Sequence, residues 1–208
     1  MPRTADHALR RAQITRAVRE MIAETGLETV TVSRTAARAG MSVGLVQHYF
    51  RTKDDMLLHA FQEVSTEVAG RVAEIVRAAP AHRRTIADVL LDALSEYLPL
   101  DEPRRAEFRI VRAFAGRALD SPALAEVEAR TAEAAHAEIA RAVRHGVECG
   151  EVAPDVDADT AATRIAAVTE GLATRVHRGG TGAADHARAA LRAELATVFT
   201  GRCRQYDR

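Results

Sequence analysis

The chain has 208 residues with no formal net charge, and 47% of them are apolar, which is enough for one or two domains with buried cores. No apolar run approaches the roughly 20 residues that a membrane-spanning helix requires, and the N-terminal residues lack the apolar stretch of a signal peptide. We therefore expect a cytoplasmic protein without membrane contact, in which Cys149 and Cys203 are reduced.

The charges are distributed unevenly along the sequence. Residues 1–53 carry nine Lys or Arg against four acidic residues, a net charge near +5 that the rest of the chain balances. Such a basic segment is typical of a protein that binds a polyanion, although arginine-rich helices are also simply well solvated.

Helix-forming residues dominate the composition, and alternating β-branched runs are absent. We therefore expect an all-α chain of about nine helices. In chain order, the predicted helices are residues 6–25, 32–39, 43–49, 53–79, 85–98, 103–119, 122–149, 158–178 and 184–200.

The second and third predicted helices are too short to be stable alone. Thr31 and Ser42 are N-cap residues, and Gly40 provides the backbone freedom for a turn between the two helices. Two short helices around a glycine turn indicate a helix-turn-helix, in which neighbouring helices support a reading helix that fits the DNA major groove.

Thr52 and Asp55 form a predicted capping box that opens the long fourth helix, which Pro80 ends. We expect a helix-turn-helix DNA-binding domain over residues 1–53 and a ligand-binding and dimerisation domain over residues 54–208, with helix four bridging both.

The segment TVSRTAARAGMSVGLVQHYFRTKDDML, residues 31–57, resembles the TetR family of transcriptional regulators. The matching positions are Thr31, Ala36, Ala39, Gly40, Ser42, Gly44, Tyr49, Phe50, Lys53, Asp54 and Leu57. With the first helix included, the resemblance covers about a quarter of the chain. VTEGLATRV, residues 168–176, is more weakly similar to the penultimate helix of many members.

The resemblance implies a set of DNA contacts, which are Thr31, Arg34, Ser42, Val43, Gly44, Gln47, His48, Tyr49 and Lys53. Gln47 departs from the family pattern, because many members have Tyr in the recognition helix at that position. A glutamine can pair with adenine in the major groove, whereas the alternative is a solvated surface residue. Phe50 is expected to pack in the small core, and Arg38 to be solvated.

In the body of the chain, three polar residues lie on helical stripes that otherwise read as buried: Arg112 with Phe108, Val111, Ala115 and Leu119, His136 with Ile139, Val143 and Val147, and Arg175 with Val168 and Leu172. These residues either have local partners in a core or orient a small molecule. Our candidate ligand contacts are Phe61, Val64, Phe108, Arg112, His136, Leu172 and Arg175, and two arginines would suit an acidic or carbonyl-bearing inducer.

The sequence predicts neither a metal site nor a cofactor. His145 and Cys149 are four residues apart, but no third ligand of suitable spacing follows. The glycine-rich stretch at residues 178–182 lacks the lysine and hydroxyl residue that end a phosphate-binding loop. No catalytic arrangement can be argued from spacing, so we do not expect an enzyme.

The favoured hypothesis is a homodimeric repressor that a small-molecule inducer releases from operator DNA. The alternatives are a helical-bundle enzyme and a regulator that protein contact switches. We expect the dimer to form through the last two helices, whose apolar residues are Ile165, Val168, Leu172, Val176, Leu191, Leu195, Val198 and Phe199.

Overall fold

The structure, a computed structural model, describes residues 2–80 and 83–204. Within these ranges the chain forms nine α-helices, a short 3₁₀ helix at Leu27–Thr29 and no strand, which confirms the all-α prediction. The helices are α1 (Pro2–Thr25), α2 (Val32–Ala39), α3 (Val43–Tyr49), α4 (Lys53–Ala78), α5 (Ile86–Ser95), α6 (Glu102–Ala118), α7 (Pro122–Cys149), α8 (Ala158–Arg178) and α9 (Ala183–Val198). Among the described helices, none has the length and apolar character needed to cross a bilayer.

The helix ends differ from the prediction at two places in particular: α1 begins at Pro2 instead of Asp6, and α5 stops at Ser95 instead of reaching Leu98. The N–H groups of Tyr97 and Leu98 bond to carbonyl oxygens three residues earlier, at 3.1 Å each, so the last turn is tighter than an α-helix. Periodicity alone does not distinguish such a turn from a further turn of α-helix.

One compact unit consists of Met1–Glu67 and Arg105–Glu126, and it therefore contains α1, α2, α3, the first half of α4 and most of α6. The boundary between the two compact units falls inside α4, after Glu67. The predicted boundary after residue 53, between the DNA-binding domain and the ligand-binding domain, is a functional one and remains a prediction. The core of this unit contains Ile14, Val18, Ile22, Val30, Val46, Phe50, Met56, Leu57 and Phe114.

Helix α6 buries a different face from the predicted one. The buried residues are Glu107, Ile110, Phe114 and Ala118. On the predicted stripe, Leu119 is 86% exposed, and Val111 and Arg112 are exposed as well, so the expectation that this stripe is buried was wrong. The two stripes are offset by one residue, or about 100° around the helix, and the acidic Glu107 within the buried set conceals it in the sequence.

The second compact unit consists of Val68–Arg104 and Val127–Arg208 and contains α5, most of α7, α8 and α9. Helix α9 packs against both α8 and α5. The side chains buried within this unit include Leu91, Leu94, Leu98, Ile139, Val143, Ile165, Val176, Leu191, Leu195, Val198 and Phe199.

This packing corrects the predicted dimer surface. Leu191 and Leu195 are 0% and 2% exposed inside their own unit, so they are not available to a second chain. The apolar stripe of α9 is therefore not free to pair with a second chain, because α5 and α8 cover it. Val168 and Leu172 on α8 are only half-buried.

We expect Leu195→Ala to lower the free energy of unfolding by about 2–5 kcal/mol, because it opens a cavity in a packed core. The same substitution at the exposed Leu119 is the control, and it should change stability by no more than about 0.5 kcal/mol. Urea unfolding of the full chain, followed by circular dichroism, measures both values. A Leu195→Ala chain of normal stability that dissociates into monomers would restore the original interface.

Candidate nucleic-acid interface

The turn between α2 and α3 has the geometry of a helix-turn-helix. The Thr31 hydroxyl accepts a hydrogen bond from the Arg34 N–H at 3.2 Å and caps α2. Gly40 follows α2 with φ 66° and ψ 36°, a left-handed conformation that strains residues with a β-carbon. The N–H of Met41 bonds back to the Ala36 carbonyl at 2.9 Å, which closes the helix end.

Helix α3 presents one face to solvent and buries the other. The Ser42 hydroxyl caps the helix by accepting a hydrogen bond from the Leu45 N–H at 3.2 Å. Val46 is fully buried, and Phe50, just after the helix, is buried as predicted. Four of the predicted DNA-contacting residues are exposed and share a face at helical spacing, namely Val43, Gly44, Gln47 and His48.

Tyr49 lies at the edge of this face, half-buried among other rings. Its ring centroid is 4.5 Å from that of His7 on α1 and 5.3 Å from that of His48. His7 is not among the sequence-predicted site residues, because a lone histidine near the N-terminus carries no pattern. In the structure, its exposed ring contacts Tyr49, the last residue of α3.

The start of α4 has the predicted capping box. The Thr52 hydroxyl accepts a hydrogen bond from the Asp55 N–H at 3.0 Å, while the Asp55 carboxylate accepts the Thr52 N–H at 2.9 Å and the Arg51 N–H at 3.1 Å. Lys53, the first residue of α4, is half-buried. The capping box therefore fixes Lys53 just beyond the end of the recognition helix.

The two arginines of α2 differ in their surroundings. Arg38 donates to Glu24 at 2.8 Å and to Glu20 at 3.1 Å, and these carboxylates raise its pKa. Arg34 is exposed beside the Thr31 cap. This difference supports the choice of Arg34 over Arg38 as a phosphate contact, although contact with DNA itself remains a prediction.

Helix α6 contacts the start of α4 within the same unit. Arg117 donates two hydrogen bonds to the Asp54 carboxylate, at 2.9 and 3.1 Å, and this contact raises the pKa of Arg117. Further along α4, the Phe61 ring stacks on Phe114 with centroids 3.9 Å apart and planes 7° apart. A displacement of α6 would therefore act directly on the helix that carries Lys53.

A second contact joins α4 to α1. The Thr15 hydroxyl lies 2.9 Å from His59 Nδ1, and the His59 ring meets the edge of Phe50 at 5.4 Å. Burial lowers the pKa of His59, and the charge of Arg11 lowers it further. The neutral ring is therefore the form that this contact favours.

The predicted ligand contacts are distributed over the two units. Phe61 and Val64 are buried in the first unit, which also contains the half-buried Phe108 and the exposed Arg112. The other three, His136, Leu172 and Arg175, belong to the second unit.

His136 has the local partners that a structural role requires. Its Nε2 atom is 3.2 Å from the Asp159 carbonyl and 3.2 Å from the Thr163 hydroxyl. Arg175 is exposed on α8, and Leu172 is half-buried. Neither arginine of the predicted set is therefore enclosed within its own unit, and their contact with a ligand remains a prediction.

Comparison with known proteins gives this geometry its context. Residues 14–60 match the family model of bacterial regulatory proteins of the tetR family, and residues 86–200 match that of the BetI-type transcriptional repressor C-terminal domain. The chain belongs to the TetR family of transcriptional regulators. It is thus a DNA-binding regulator, and the family is one of regulators, not of enzymes.

Individual relatives agree with this assignment. The chain is 29% identical over 177 residues to the HTH-type transcriptional regulator PksA of Bacillus subtilis, covering 83% of this chain and 81% of PksA. A transcriptional regulator from Rhodococcus sp. Rha1 superposes with a TM-score of 0.79 at 30% identity, covering 91% of this chain and 96% of the other. A regulator from Saccharomonospora viridis, crystallised with choline, gives 0.76 at 26% identity, covering 87% and 92%.

The environment of His59 predicts how stability depends on pH. Above about pH 6.5 the ring is neutral in both the folded and the unfolded chain. As the pH falls below that value, the unfolded chain binds a proton that the folded chain resists, because burial and Arg11 lower the pKa of the folded state. The free energy of unfolding should therefore fall as the pH falls from about 6.5 toward this lowered pKa, and it should level off below it.

We expect His59→Gln to reduce the loss of stability between about pH 7.5 and 5.5, measured by urea unfolding at each pH. His186→Gln, at an exposed position on α9, is the matched control and should keep the wild-type slope. Burial raises the pKa of the neighbouring Glu63, an effect of opposite sign that belongs to more acidic solutions. An unchanged slope in His59→Gln would refute the assignment.

Proposed function

We propose that the protein is a homodimeric repressor that acts in the cytoplasm, binds operator DNA through α3 and is released by a small molecule. The observation that carries this proposal is the capped α3, whose exposed face displays Val43, Gly44, Gln47 and His48 on a helix-turn-helix. The match of residues 86–200 to a BetI-type repressor domain supports repression. We assign the chain no catalytic role.

Gln47 is the proposed base reader. It is exposed in the middle of α3. Its side-chain amide can donate a hydrogen bond to N7 of adenine and accept one from the N6 amino group in the major groove. Thr31 and Arg34 at the start of α2, Tyr49 at the end of α3 and Lys53 at the start of α4 are proposed to contact phosphates. Such contacts set the register on DNA but carry no sequence information. His48 can contact either a base edge or a phosphate.

Dimerisation is proposed through the outer surfaces of α8 and α9, not through their buried stripes. Val168 and Leu172 are half-buried on α8, beside the exposed Gly171 and Arg175. A two-fold pairing of such a surface is self-complementary, and it would place two copies of α3 on one near-palindromic operator. Half-sites would then lie about 34–36 Å apart, or a multiple of that distance.

The inducer is proposed to act on α6. Because α6 contacts α4 through the Arg117–Asp54 ion pair and the Phe114–Phe61 stack, moving α6 shifts the start of α4. An inducer changes DNA affinity only if it prefers one of the two conformations, and operator DNA must then weaken inducer binding by the same factor.

A relative with a bound ligand is a better guide to the chemical class of the inducer than Arg112 and Arg175 are. Arg112 and Arg175 are both exposed, so they give no argument for a buried acidic ligand. The relative from Saccharomonospora viridis was crystallised with choline, and aromatic faces such as that of the half-buried Phe108 attract quaternary ammonium ions. We propose choline-like cations as the first compounds to test.

We expect Gln47→Ala to cost about 1–3 kcal/mol at one base position of each half-site and to relax the preference there. Lys53→Ala should weaken all sequences alike and reduce the salt dependence of binding, because it removes a phosphate contact. Operators selected from random duplex DNA by the wild-type chain, followed by affinity measurements at several salt concentrations, give both results.

Gln62→Ala, at an exposed position on α4, is the matched control for Gln47→Ala and should leave base preference unchanged. Two chains should bind each operator. If Gln47→Ala kept the wild-type base preference, the assigned reader would be wrong. If no DNA sequence were selected, the proposed function would be refuted.

The ion pair between α6 and α4 should also influence operator binding. The pair is partly exposed, so we expect Asp54→Asn and Arg117→Gln each to weaken operator binding only about two- to five-fold. The double variant should be no weaker than either single one, because both remove the same contact. Arg141→Gln, which breaks an exposed pair with Glu138 on α7, should have no effect. Additive effects in the double variant would contradict the link.

A further inference from the structure

The segment after α9 returns to the end of α7 within the second unit. The Gly201 N–H donates to the Glu151 carbonyl at 2.9 Å. A β-carbon on Gly201 would lie 2.1 Å from the Gly150 carbonyl oxygen, so only glycine permits this approach. Gly150 itself has φ +95°, a conformation that side chains rarely adopt. Two glycines therefore allow the C-terminal segment to lie directly against the end of α7.

This approach brings together the two cysteines of the chain, which are 54 positions apart in sequence. Cys149 is the last residue of α7, and Cys203 follows Gly201 in the C-terminal segment. The two thiol sulfurs and a carboxylate oxygen of Glu151 all lie within 4.8 Å of one another. Both thiols are half-buried, and Glu151 is 2% exposed.

The Glu151 carboxylate is held in a fixed orientation. Its Oε1 accepts the Ile86 N–H at 2.9 Å, and its Oε2 accepts the Ala87 N–H at 3.2 Å, both from the first turn of α5. The Cys149 Sγ lies 3.7 Å from Oε1. A carboxylate oxygen has two acceptor positions, so each oxygen retains capacity for a further ligand after accepting its backbone N–H.

We propose that Cys149, Glu151 and Cys203 form a binding site for a divalent cation of the zinc class. Thiolate and carboxylate are both zinc ligands, and three protein ligands with a water molecule complete a tetrahedral site. Tetrahedral coordination at about 2.3 Å to sulfur and 2.0–2.2 Å to oxygen requires donors about 3.5–3.8 Å apart. The three ligand atoms now lie within 4.8 Å of one another, and rotation of the two cysteine side chains would bring them to the shorter spacing. On binding, each thiol releases its proton to solvent.

A disulfide between Cys149 and Cys203 is the competing outcome for the same pair. It needs an oxidant, which the chain does not supply, and it leaves the Glu151 carboxylate without a role as a ligand. A cation turns the same carboxylate into a ligand that balances its charge. The position of Glu151 thus favours the metal over the disulfide.

Metal binding here would connect three parts of the second unit, namely the end of α7, the start of α5 and the C-terminal segment. A cation that binds only the folded chain raises its stability in proportion to the logarithm of its concentration. Metal binding at this site does not depend on operator recognition, and it can be measured without DNA.

The test uses the full chain, reduced and freed of metal with a chelator. Titration with Co²⁺ should give a thiolate charge-transfer band and tetrahedral visible absorption at one ion per chain, and Zn²⁺ should displace it. Cys149→Ser and Cys203→Ser should each lower Zn²⁺ affinity more than about 100-fold, since changes behind a ligand alone cost about 10–100-fold. His145→Ala, one helical turn from Cys149, is the control and should bind normally.

A measurement on the unchanged chain protects the test against variants that fail to fold. Zn²⁺ should shield both cysteines from alkylation, as read by mass spectrometry, and should raise the thermal midpoint. Three outcomes would overturn the proposal: a Co²⁺ spectrum without the thiolate band, wild-type Zn²⁺ affinity in either serine variant, or oxidation to a Cys149–Cys203 disulfide in a chain that does not bind Zn²⁺.

Discussion

The burial of two side chains, Val46 and Phe50, holds the recognition helix in place. Seven residues of α3 provide too few internal hydrogen bonds for a stable helix in water, so its conformation depends on contacts with its neighbours. Val46 is fully buried, Phe50 meets the edge of the His59 ring, and Arg11 lies over its face at 5.3 Å. Because these inner contacts hold the helix, its outer residues can vary with little cost to the fold. This separation lets one scaffold present different reading surfaces.

The same unit shows why net charge is an incomplete guide to a binding surface. Arg19 donates to Glu67 at 2.7 and 2.8 Å, and Arg38 is paired with Glu20 and Glu24. These arginines connect helices, so the basic character of residues 1–53 overstates the charge that faces a polyanion. Arg34 is exposed at the start of α2, next to the helix that reads the base edges.

Features that depend on neighbouring residues in sequence could be predicted. The caps at Thr31, Ser42 and Thr52 and the left-handed Gly40 are local, and all four appear where the sequence places them. They define the helix-turn-helix and therefore most of the candidate DNA-binding face.

Features that depend on distant residues could not be predicted in the same way. The buried face of α6 is determined by α4, because Phe114 stacks on Phe61 of that helix. The buried Glu107 interrupts the apolar pattern by which this face could be recognised in the sequence. The apolar stripe of α9 is consistent with either an internal or an intermolecular contact, and only the packing against α5 and α8 decides between them. The meeting of Cys149 with Cys203 depends on a close glycine approach that has no sequence period.

The inclusion of α6 in the first compact unit has a consequence for modular exchange between regulators. A chimera joined after residue 67 would take Asp54 and Phe61 but leave behind their partners on α6, Arg117 and Phe114. In the chimera, Asp54 and Phe61 would face the corresponding helix of the recipient protein instead of α6. Residues 105–126 should therefore accompany residues 1–67 in any such transplant, so that the portable part of this regulator is discontinuous in sequence.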